Sequence, residues 1–203
     1  HTRYWRDWSS DVCSSDLHPW RFQPHVEVWL LVAFLVSAYV YMIRVLGPRA
    51  VPSGEAVVTR RQLTAFGAGI LILWFASDWP VHDIAEEYLY SVHMFQHMAL
   101  TYFMPPLVVL ATPEWFARTL VGDGRVHKAL GFMAHPVRAA FFFNVAVMVS
   151  HVPGVVNASV SNGTLHYGIH VFLVTSAILM WLPVVGPFAE FQISPMGKMK
   201  IGR

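Results

Sequence analysis

Thiols are all but missing from this chain: its 203 residues hold one cysteine, Cys13. That excludes an internal disulfide and any zinc or copper centre built on several cysteines. Charge is also scarce, with Asp, Glu, Lys and Arg at 13% against 55% hydrophobic residues and a mean hydropathy of +0.46. Such a balance excludes an ordinary soluble domain and reads as an all-α polytopic membrane protein. The formal net charge is only +2 and the basic residues are spread over several loops, so no nucleic-acid partner is expected. No nucleophile with its base, no phosphate loop and no dinucleotide fingerprint is present. The chain is therefore not read as an enzyme.

The two ends are set aside. Residues 7–17, DWSSDVCSSDL, resemble an in-frame translation of a common sequencing adapter, and Ile201, Gly202 and Arg203 resemble the start of another. Residues 1–17 and 201–203 are thus expected to be non-native, leaving 18–200 as one integral membrane domain cut short at its C-terminal end. Cys13 falls inside the excluded stretch, so the native part is expected to carry no thiol.

Five apolar stretches follow, each of a length suited to a bilayer about 30 Å thick. They run at about Val26–Leu46, Leu63–Trp79, Tyr88–Leu110, Pro136–Val152 and Leu165–Val185. Trp20 and Phe22 read as interfacial anchors before the first. Gly67 and Gly69 in the second are small enough for a neighbour to approach, and Pro105 with Pro106 predicts a kink in the third. Thr112–His135 reads as a polar connection, and Val152, Pro153 and Gly154 as the end of the fourth span. Arg44, Arg49, Arg60 and Arg61 lie between the first and second stretches, and Arg118, Arg125, Lys128 and Arg138 around the third-to-fourth connection. The alternate connections have neither Lys nor Arg, which predicts five spans with the N-terminus outside.

That orientation gathers six histidines at one membrane face. His93 and His97 are one helical turn apart on the third span, His166 and His170 repeat the spacing on the fifth, His151 ends the fourth, and His82 lies between the second and third. His127 and His135 belong to the other face. An ionisable group inside a bilayer costs about 2.5 kcal/mol or more, so such residues usually face a bundle interior and serve a site. Imidazole suits copper, zinc and iron, and thioether favours copper(I), so His93, His97, His166 and His170, with His151 and Met94 beside them, make a candidate copper site. Asp78, His82 and Asp83, in an acidic run with Glu86 and Glu87, are candidates to draw in a cation or orient the ligand rings. Two alternatives stay open: haem held between helices, and a metal-free scaffold whose histidines hydrogen-bond across helices.

Three segments carry a family resemblance: YLYSVHMFQHMALTYFMPPLVVLATP, HPVRAAFFFNVAVMVSHVPG and TLHYGIHVFLVTSAILMWLPVVGP. Together they resemble the cytochrome c oxidase assembly factors of the CtaG type, associated with caa-type oxidases. The resemblance covers nearly all of residues 18–200. It implies a multi-pass protein of the bacterial plasma membrane whose partners are cytochrome c oxidase subunits and the lipid bilayer. It also implies a role in maturing the oxidase, with the family's histidine positions falling on His93, His97, His151, His166 and His170. Copper delivery from the outer face is the mechanism expected from that cluster.

Overall fold

The computed structural model describes residues 24–85, 89–122, 124–188 and 190–192. The adapter-like ends, Trp20, Phe22, Glu86, Glu87 and Tyr88 lie outside the described residues. Every regular element among those described is helical. Besides a single turn at Val81–Asp83, the helices are α1 (Val26–Ala50), α2 (Arg60–Ser77), α3 (Tyr90–Ala111), α4 (Glu114–Val121), α5 (Arg125–Met133), α6 (Pro136–Ser150), α7 (Pro153–Ser161) and α8 (Gly163–Val185).

α3 is the central element. Ala99, Leu100 and Met104 on it close a core with Ala76 of α2 and Val174 of α8. Lower down, Val109 joins Leu182 of α8 and Ala134 behind α5 in a second core. α6 packs against α8, with Phe142 edge-on to Phe172 at 5.9 Å between ring centres, and reaches α3 where Phe143 meets Tyr102 edge-on at 5.5 Å. α1 lies beside α2, held near its start by Trp29 Nε1, which donates to Asp78 Oδ2 (2.8 Å), and at mid-length by Tyr39 Oη, which donates to the Ala111 carbonyl (3.1 Å).

Proline shapes α1 and α3 in the same way. Pro105 and Pro106 bring no N–H and crowd the carbonyls four residues back, Thr101 and Tyr102. The chain absorbs this with a turn of π-helix over Ala99–Phe103 instead of a break. Pro48 is preceded likewise by a π turn over Met42–Leu46. The expected kink in the third span is thus a local widening of a continuous helix.

The span count differs from the sequence expectation. Among the described residues three helices, α1, α3 and α8, are long and apolar enough to cross a membrane, or four if α5 and α6, bent by 79° at their junction, form one span. α2 opens on Arg60, Arg61 and Gln62, which lowers its mean hydropathy, and the 15 residues of α6 rise only about 22 Å. His135 is extended, as the residue before a proline prefers, so Pro136 starts a new helix at a sharp angle. Two connections are also more ordered than expected: 112–135 carries the amphipathic α4 and α5, and Pro153 opens α7 where a loop was read.

Candidate functional site

His93 and His97 sit one turn apart on α3 because nine residues of regular α-helix, Tyr90–Met98, precede the π turn. Their Nε2 atoms are 2.9 Å apart. His166 and His170 repeat the arrangement near the start of α8, with Nε2 atoms 3.0 Å apart. There Asn162 caps the helix by accepting from the Leu165 amide (3.1 Å). Contact between α3 and α8 brings the two pairs together: the His97 and His170 rings stack at 4.6 Å and 17°. His93 stands 6.1 Å from His166 and 6.4 Å from His170, ring centre to ring centre.

His151, at the C-terminal end of α6, completes the group at 6.2 Å from His97. Its Nδ1 lies 2.8 Å from the Val147 carbonyl. A carbonyl only accepts, so Nδ1 carries a proton, and a neutral His151 then has its lone pair on Nε2. All five histidines read as one site are therefore gathered at one end of the bundle.

The remaining candidates are placed elsewhere. Met94 lies about a quarter turn round α3 from the histidine face. Asp78, only 4% exposed, accepts from the indole N–H groups of Trp29 and Trp74 (2.8 and 2.9 Å) and from the His25 amide (3.3 Å). It is the joint that fastens the start of α1 to the end of α2. Asp83 accepts from His25 Nε2 at 2.7 Å. His82 packs edge-on against His25 at 4.7 Å and accepts at Nδ1 from Gln96 Nε2 (3.1 Å). Asp78 and Asp83 thus touch His25, not the five clustered rings. Sequence reading missed His25 and Gln96. Gln96 had a usable signal, an amide within a turn of two histidines on an apolar helix, whereas His25 is joined only through tertiary contacts.

No three His, Cys, Asp or Glu side chains among the described residues stand where they could hold one metal ion. The spacing within the pairs gives a physical reason. Two nitrogens on a tetrahedral ion with bonds of about 2.0 Å lie about 3.3 Å apart, whereas 2.9 and 3.0 Å are hydrogen-bond distances. Each pair is closed on a shared proton.

A family model described as cytochrome c oxidase caa3 assembly factor matches residues 37–201. The chain belongs to that family. No curated protein and no solved structure is detectably similar to it. The matched region of this caa3 assembly factor takes in all five clustered histidines, Gln96 and the Asp78–Asp83 connection, while His25 lies before it. Members assist assembly of cytochrome c oxidase, and the multi-pass helical bundle fits a membrane-embedded role.

Proposed function

We propose that this assembly factor binds copper transiently through His93, His97, His166 and His170, with His151 as a fifth ligand or an orienting group, and passes it to a cytochrome c oxidase subunit. Copper is the cargo here. The observation that carries the reading is the convergence of five imidazoles from α3, α6 and α8 at one end of a thiol-poor apolar bundle. The ligating nitrogen of each ring must carry no proton, so copper entry at Nε2 would move the proton shared within each pair to an Nδ1 and open the pair by a few tenths of an ångström. The basic residues Arg44, Arg49, Arg60 and Arg61, with Arg118, Arg125, Lys128 and Arg138, belong to the opposite ends of the same helices, supporting a histidine end that faces outward across a bacterial plasma membrane.

The test is His97→Ala in cells that make the oxidase. Oxidase activity and oxidase copper are expected to fall while the variant stays in the membrane at its normal level. Normal oxidase copper in that strain would remove the copper-delivery reading.

A second reading, a scaffold that binds no metal, is favoured by the hydrogen-bond spacing inside both pairs and the lack of a three-donor set among the described residues. A scaffold predicts that His97→Gln, which keeps a hydrogen-bonding side chain, restores oxidase assembly. Copper delivery predicts that it does not. Haem between α3 and α8 would announce itself as a Soret band in the purified protein.

A further inference from the structure

A cleft of about 520 Å³ opens between α1, α2, α3 and α8, within the range of about 300–1,000 Å³ typical of small-molecule sites. Leu31 and Leu35 of α1, Leu73 of α2, Leu100 of α3, and Val174 and Ile178 of α8 line its apolar length. His25, His82, Gln96, His166 and His170 line its polar end. Gln96 is 2% exposed, and its Oε1 is buried without a hydrogen-bond partner, while its Nε2 is already engaged with His82. A buried amide oxygen without a donor costs about 1–3 kcal/mol, so a side chain kept this way marks a place where a donor is to be supplied.

We propose that the cleft binds an amphipathic membrane molecule with a single apolar tail and a hydroxyl head, the head donating its O–H to Gln96 Oε1. The tail lies along Leu35, Leu73 and Val174 and displaces bilayer chains, which fill an apolar cleft without satisfying Gln96. A hydroxyl is the head group that fits. It is uncharged, so it enters from hydrocarbon at modest cost, and it donates where an ester or a ketone only accepts. The cleft borders the copper reading, since His166 and His170 also line it, but the recognition proposed here rests on Gln96 and its test does not use copper.

The experiment is equilibrium binding to the purified full chain in lipid nanodiscs, using dodecylhydroquinone, dodecan-1-ol and the dimethyl ether of dodecylhydroquinone, each measured as excess over empty nanodiscs. Expected is saturable binding of both hydroxyl probes, with the dimethyl ether about tenfold weaker for want of the donor. Gln96→Leu is expected to bring hydroquinone and ether to equal affinity. Leu35→Trp, which fills the apolar length, is expected to remove saturable binding of all three, with helix content by circular dichroism as the folding control. Preference for one hydroxyl probe over the other identifies the head group as aromatic or aliphatic. Equal binding of hydroquinone and ether by the unaltered protein, no excess over empty nanodiscs, or a preference that survives Gln96→Leu would each overturn the proposal.

Discussion

Asp78 is the residue whose chemistry is clearest, and it carries a prediction at its own scale. Three donors from two elements converge on one carboxylate that is almost out of solvent. Asp78→Leu leaves two indole N–H groups and the His25 amide without an acceptor, a loss of about 1–3 kcal/mol for each donor that water does not reach. The melting midpoint of the purified protein in detergent should fall by several degrees, while Asp78→Asn, which keeps a carbonyl oxygen, should lose less. An unchanged midpoint in Asp78→Leu would show that the joint between α1 and α2 is made elsewhere. The sequence placed Asp78 in an acidic run after the second apolar stretch. Its partners, Trp29 and the His25 amide, are about fifty positions away, and a run of like-charged residues reads the same whether it is solvated or buried.

Among elements, α3 was the most legible. Its apolar length, its i, i+4 histidines and its two prolines are local signals, and the structure adds the π turn over Ala99–Phe103 that keeps the helix unbroken. The α2 glycines were only half legible. A Cβ on Gly69 would touch Leu107 at 3.5 Å, so this glycine does face α3, but a Cβ on Gly67 would meet nothing within 4 Å. Gly67→Ala is therefore expected to stabilise by about 0.5–1 kcal/mol through helix propensity alone. Gly47, which the sequence places in the loop after the first stretch and the structure keeps within α1, is the tight one: a Cβ there would run into the Val57 side chain. Gly47→Val should cost about 1–3 kcal/mol by overpacking. Thermal unfolding of the two variants side by side checks both, and the reverse order of midpoints would contradict this packing of α1 against the loop before α2.

For the molecule as a whole, the two ends differ in kind. One gathers the histidines. The other gathers charge, with Arg118 bridging Glu114 (2.9 Å) and Glu190 (3.2 Å), and His127 lying 3.7 Å from Glu190. Those contacts tie the segment after α8 back onto α4 and α5, and Phe188 and Phe191 pack against the His127 ring at 5.6 and 4.9 Å. A hydrogen bond from its own backbone N–H, with the Arg118 guanidinium adding to it, holds the Glu190 carboxyl below its ordinary value of 4.5. A depressed carboxyl stabilises the fold above its ordinary value and loses that contribution as pH falls through the lowered one. Amide exchange at residues 190–192, corrected for its intrinsic pH dependence, should therefore quicken below about pH 4.5, and Arg118→Ala should show the quickened rate already at neutral pH. Equal protection at both pH values would remove Glu190 from the tether. This tether was beyond sequence reading because Arg118 and Glu190 are 72 positions apart. The gathering of His93, His97, His151, His166 and His170 was readable because helix ends alternate between the two faces of a membrane. What alternation could not give is the spacing inside each pair, and that spacing separates a proton-shared contact from a ligand set. Metal content therefore tests the copper reading most directly, measured on the protein purified in detergent after copper loading under reducing conditions, beside a variant with His93→Ala and His97→Ala together. Copper delivery predicts near-stoichiometric copper in the first and its loss in the second; no copper in either would contradict it.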